Sequence, residues 1–119
     1  MIYYELPQKL VDMIEDNEFH ISYGDERIIE FEKFSSMGHD FIFCIDTKGD
    51  LELFRDNILA YYNDFDVSEE TYYWLDNCGH GKNGAPYDML DVYKDIEECE
   101  KFIYELYCIV DKYIEEVVA

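Results

Sequence analysis

The spacing of apolar residues changes twice along this 119-residue chain, and those two changes fix what it can fold into. From 3 to 16, Leu6, Leu10, Val11 and Ile14 recur at helical intervals, with Pro7 tolerated in a first turn. Between 18 and 45 the interval drops to two. Phe19, Ile21 and Tyr23 alternate with His20 and Ser22 over 18–24, and Ile29 and Phe31 oppose Glu30 and Glu32 over 27–34. Phe41, Phe43 and Ile45 then alternate with Ile42, Cys44 and Asp46. Gly24-Asp25 and Ser35-Ser36-Met37-Gly38 separate these runs as tight turns. The pattern predicts an antiparallel three-stranded meander with one apolar face covered by helices.

The helical interval returns after Lys48-Gly49-Asp50. Asp50 is placed to cap a helix whose buried stripe is Leu51, Phe54, Ile58, Tyr61 and Tyr62. Asp66-Val67-Ser68-Glu69-Glu70 breaks it, and Ser68 is read as the cap of a further helix carrying Tyr72, Trp74 and Leu75. Residues 78–86 hold three glycines and Pro86, an irregular loop. A short helical turn is expected over 88–93. A long helix follows over about 95–117, roughly 34 Å at ~1.5 Å per residue. Cys99, Phe102, Ile103, Leu106, Val110, Tyr113 and Val117 form its seam. The class predicted is α+β: an N-terminal helix, the meander, then three to four helices, all in one domain spanning 1–119.

Twenty-nine acidic residues against nine basic ones leave a formal charge of −20. Self-repulsion on that scale opposes compaction, and such acidity commonly marks disorder. Disorder needs a poverty of apolar and aromatic residues, whereas 49% of these residues are hydrophobic and 18% aromatic, with twelve Tyr and eight Phe. The chain therefore reads as a folded globule with a negative surface. Salt adaptation would explain the charge, but the richness in Ile, Tyr, Phe and Asn reads as ordinary compositional bias.

The sign of the charge excludes function classes. Direct nucleic-acid binding needs Lys and Arg at phosphates, and anionic lipid repels an acidic surface. No run approaches the ~20 apolar residues that cross a bilayer, and no secretory leader is recognised. Cys44, Cys78, Cys99 and Cys108 are therefore expected to be reduced thiols, and the location expected is the cytoplasm of a bacterial host cell.

Carboxylates in the C-terminal third suggest a contact surface: Asp76, Asp88, Asp91, Asp95, Glu97, Glu98, Glu100, Glu105 and Asp111. A duplex presents one charge per ~1.7 Å of axis, so a carboxylate-bearing helix can imitate a phosphate track and meet the Lys and Arg of a nucleic-acid-binding protein. Adjacent tyrosines on a helix cannot all face a core. Tyr72, Tyr73 and Tyr87 are thus candidate anchors, since Tyr joins apolar area to a hydroxyl.

Other constellations are weaker. Cys78-Gly79-His80 offers two soft ligands, but no Cys-x-x-Cys pair accompanies it, so neither metal nor any other cofactor is expected. Cys78 with His80 as a nucleophile and base lacks an oxyanion motif and a third residue, so no catalytic residue is assigned. Asp46-Thr47-Lys48-Gly49-Asp50 lacks the ligand spacing of a calcium loop. His39 and Asp40 fall at a turn, where exposure is the default.

Two stretches carry a resemblance. Ser35-Ser36-Met37-Gly38-His39-Asp40-Phe41-Ile42-Phe43 is one; the other runs from Asn63-Asp64-Phe65-Asp66-Val67 through Glu70 and Trp74 to Gly81 and Gly84-Ala85-Pro86. Across about 18–112 the chain resembles small acidic proteins of phages and integrative elements. In size and charge it is similar to DNA-mimic inhibitors of the anti-CRISPR and anti-restriction kind. The resemblance implies a stoichiometric inhibitor occupying the basic nucleic-acid site of a defence nuclease, a CRISPR effector, with no catalytic residue and with a homodimer open. The alternatives are an immunity protein or antitoxin against a basic toxin nuclease, a Cys/His-dependent enzyme, and an adaptor kept soluble by its charge.

Overall fold

A computed structural model describes residues 6–25, 27–47, 50–82, 86 and 88–118. Helix α1 (Gln8–Asp16) leads into strands β1 (His20–Gly24), β2 (Ile28–Phe34) and β3 (Asp40–Asp46), followed by α2 (Leu51–Asp64), α3 (Val67–Tyr73) and α4 (Met89–Val118). The strands form an antiparallel sheet in the order β1-β2-β3, so the α+β meander and its helical cover are as the spacing predicts.

Alternation sets the inner face. Ile29 and Phe31 of β2 and Phe41, Phe43 and Ile45 of β3 are buried, and pairing is unbroken from Ile28↔Asp46 to Phe34↔Asp40. Strand β1 departs from the expected pattern. Its register slips between Ile21 and Tyr23, so Ile21 pairs with inward Phe31 while Tyr23 pairs with outward Glu30. The irregularity puts Tyr23 on the exposed face.

The inner face meets α1 through Leu10 and Ile14, α2 through Phe54 and Ile58, and α4 through a seam that includes Cys99, Ile103, Leu106 and Val110. Phe31 stacks on Phe54 at 6.1 Å, and Phe41 on Phe43 at 5.1 Å. Lys33 is the unexpected inward residue. Its ammonium lies 2.7 Å from Glu105 and donates to the Asn17 carbonyl at 2.8 Å, between the rings of Phe19 and Phe102.

Two helix boundaries differ from expectation. Asp50 caps α2, accepting from the Leu53 N–H at 2.9 Å, as predicted. Helix α3 is capped by Asp66, which accepts from the Glu69 N–H, rather than by Ser68. The expected break before 95 is absent. Asp88 accepts from the Leu90 N–H, and α4 runs on without interruption, about 45 Å at ~1.5 Å per residue. Val117 is exposed rather than part of the seam. None of the described helices is long and apolar enough to cross a membrane.

Candidate functional site

The end of the molecule where α3 meets the start of α4 exposes a large apolar area. Tyr72 is 74% exposed and Leu90 59%, with Tyr73, Met89 and Tyr93 also exposed. Together Ser68, Thr71, Tyr72, Leu75, Met89, Leu90 and Tyr93 line a groove of about 360 Å³. Its walls follow from local sequence. Thr71, Tyr72 and Leu75 are spaced to share one side of α3 and the turn after it. The helical rise of α4 puts Met89, Leu90 and Tyr93 along the facing wall. Thr71 is buried and donates to the Val67 carbonyl at 2.7 Å, which frees the groove floor of unmet polar demand.

The loop behind the groove is held by Asp76. Its Oδ1 accepts from the Cys78 N–H at 2.8 Å and the His80 N–H at 3.1 Å, and these bonds hold the carboxyl below the usual range. A bridge between Leu75 and Gly81 closes the loop. Gly79 has φ +81, and a Cβ on Gly81 would lie 1.7 Å from the Pro86 carbonyl oxygen, so both positions require glycine. A second hollow of about 220 Å³, lined by Gly79, His80, Asp88 and Met89, adjoins the groove through Met89.

Carboxylates adjoin the groove residues in sequence. Glu69 lies beside Ser68, Asp76 follows Leu75, Asp88 precedes Met89, and Asp91 sits between Leu90 and Tyr93. Glu69 accepts from the Tyr73 hydroxyl at 2.7 Å, which raises the phenol's affinity for its proton. Lys82 and Lys94 are the exposed cations nearest in sequence, and neither makes an ion pair among the described residues.

The structure thus brings together Tyr72, Tyr73, Asp76, Asp88 and Asp91 from the sequence-derived set; Tyr87 lies outside the described residues. The expected carboxylate track along α4 is broken up. Asp95 is 2% exposed and is bonded to His39, so it cannot meet a partner. Glu105 is paired with Lys33, Asp111 with Arg55 at 3.2 Å, and Glu98 accepts from the Ser36 N–H. Glu97 and Glu100 make no ion pair among the described residues, but the outward face around them also carries Lys94, Lys101 and Lys112. Mixed sign there is a poor copy of phosphate.

His39 is likewise buried, contrary to the exposure expected of a turn residue. The Ser35 N–H donates to its carbonyl at 2.8 Å, and its own N–H donates to Ser35 Oγ at 3.0 Å. The ring Nδ1 lies 2.5 Å from Asp95 Oδ2 and 3.9 Å from Cys99 Sγ, and Trp74 packs edge-to-face on it at 4.5 Å. One ring nitrogen facing both acid and thiol cannot relay a proton between them. Burial, reinforced by Asp95, Glu98 and Glu70, pushes the Cys99 thiol up, which opposes nucleophilic use. Cys78 and His80, the other soft pair, share the Asp76 turn.

No family model matches the chain, and neither curated proteins nor solved structures give a match. The groove's sequence signal was the adjacent tyrosines; the contribution of Met89, Leu90 and Tyr93 was hidden by the expected break in α4.

Proposed function

We propose that this chain is a stoichiometric inhibitor that docks the α3–α4 groove onto the cationic nucleic-acid-binding surface of a defence nuclease of the CRISPR-effector type. The observation that carries this reading is an open apolar groove, with carboxylates next to its residues in sequence, on a chain of charge −20. Exposed apolar area of this kind marks a contact surface rather than a solvated one. A second copy of the chain would bring another −20 against the first, whereas a Lys/Arg-rich surface gains from every such carboxylate. Tyr72, Leu90 and Tyr93 supply desolvated anchors; Asp88, Asp91 and Glu69 supply steering and register. No chemical step is required of the inhibitor.

The test is the affinity for a basic nuclease of the groove variant Tyr72→Ala/Leu90→Ala, compared with the outer-face variant Glu97→Gln/Glu100→Gln. Loss of anchors at the centre of a contact costs about 2 kcal/mol or more, roughly 30-fold in Kd. The outer-face pair should cost a few-fold at most. Equal losses, or a nuclease bound without regard to the groove, would remove the groove from the account. Self-association of the wild-type chain, abolished by the groove variant, would assign the surface to a homodimer instead.

A further inference from the structure

A buried cluster remote from the groove's function joins three metal-ligating side chains from separate parts of the sequence. Asp95 and Cys99 are four residues apart on α4 and therefore share a face. His39 reaches them from the β2–β3 turn, where Gly38 at φ +85 and the paired Ser35–His39 hydrogen bonds fix its backbone. The imidazole nitrogen, carboxylate oxygen and thiol sulfur all lie within 4.8 Å of one another. The cluster is under-satisfied as it stands. Asp95 Oδ1 is buried without a hydrogen-bond partner among the described residues, although buried polar atoms are nearly always paired.

We propose that His39 Nδ1, Asp95 Oδ2 and Cys99 Sγ bind a zinc ion, with a water in the fourth position that donates to the orphaned Asp95 Oδ1. Imidazole, carboxylate and thiolate are the ordinary zinc donors, and three protein ligands with one open position form a recognised set. Donor distances of about 2.0–2.3 Å place tetrahedral ligand atoms about 3.3–3.6 Å apart. The Nδ1–Oδ2 and Nδ1–Sγ separations of 2.5 Å and 3.9 Å lie within about an ångström of that range, and the carboxylate–thiol separation is within 4.8 Å. With Cys99 as thiolate and His39 neutral, a divalent ion brings the buried site to zero charge. The thiol's proton leaves to solvent on binding, which makes affinity rise with pH. Glu98 and Glu70, whose charges are felt at Cys99, add a negative field that favours a cation. Bound there, the ion staples the β2–β3 turn to α4 beneath Trp74.

The experiment uses the full chain stripped with a chelator, and zinc and cobalt(II) alone as probes. Zinc should bind one to one in competition with a chromophoric chelator. Cobalt should give the visible bands of a tetrahedral site, a near-ultraviolet thiolate charge-transfer band, and quenching of Trp74, the chain's sole tryptophan, which packs on His39. The variant Cys44→Ser/Cys78→Ser/Cys108→Ser, with Cys99 as its one thiol, should keep all three signals. Cys99→Ser should lose the charge-transfer band and weaken zinc binding at least ~10-fold. Should that variant fail to fold, the triple variant decides alone. Absence of the charge-transfer band from it, or zinc bound below one equivalent, overturns the site. Neither outcome bears on the groove, which tests separately.

Discussion

Replacing His39 by Leu isolates the energetics of the buried pair that joins the sheet to α4. The side chains of His39 and Asp95 are 3% and 1% exposed, so the Asp95 carboxylate has no water to turn to when the imidazole is removed. Removing the imidazole leaves the Asp95 carboxylate buried without its hydrogen-bond partner, at a cost of about 3–5 kcal/mol. With an unfolding entropy of roughly 2.1 cal/mol/K per residue, that cost lowers the Tm of a chain this long by roughly 12–20 °C. The Leu side chain meets Phe41 and Trp74, so cavity formation adds little. The decisive comparison is His39→Leu/Asp95→Leu. Exchanging both partners for apolar groups is commonly neutral, and the double variant should lie within about 1–2 kcal/mol of the parent. Urea unfolding with chelator present keeps metal out of the comparison. A His39→Leu cost below about 1 kcal/mol, or a double variant as unstable as the single one, would refute the reasoning.

Two further outcomes follow from the same structure. Cys44, Cys78 and Cys108 are exposed and Cys99 is buried with its thiol pushed up, so a thiol reagent near pH 8 should label three cysteines in the native chain and four after unfolding; native labelling of Cys99 at a comparable rate would contradict its placement. Asp76, held below its ordinary range by the His80 and Cys78 N–H groups, contributes order that is present above its unfolded pKa of ~3.9 and is lost as pH falls through the lower folded value. Asp76→Ala should therefore speed amide exchange at Cys78 and His80 at neutral pH, with little further effect in acid; unchanged protection would exclude the cap.

The parts of this architecture that follow from local spacing were legible in the sequence. Asp50 begins α2 because a carboxylate there can meet the Leu53 N–H, and Phe54 and Ile58 recur on the side that faces the sheet. Burial decided by distant partners was not legible. Asp95 reads as one more acid on a charged helix until its partner, 56 residues earlier, is placed against it. Lys33 reads as a solvated strand residue until Glu105 and the two phenylalanine rings surround it. The slip after Ile21 leaves an alternating sequence intact while turning Tyr23 outward, so periodicity cannot reveal it. At the groove, Tyr72 and Tyr73 announced exposure because neighbours on a helix point apart. Met89 and Leu90 did not, since the polar run around Lys94 and Asp95 hides a continuous helix.

The most direct measurement is displacement of labelled nucleic acid from a basic CRISPR-effector nuclease by this chain, titrated at low and at high salt. Stoichiometric displacement, with association slowed as salt rises and with the Tyr72→Ala/Leu90→Ala variant unable to compete, is the result the account predicts. Displacement by that variant at wild-type concentration, or none by the wild-type chain at low salt, would contradict it.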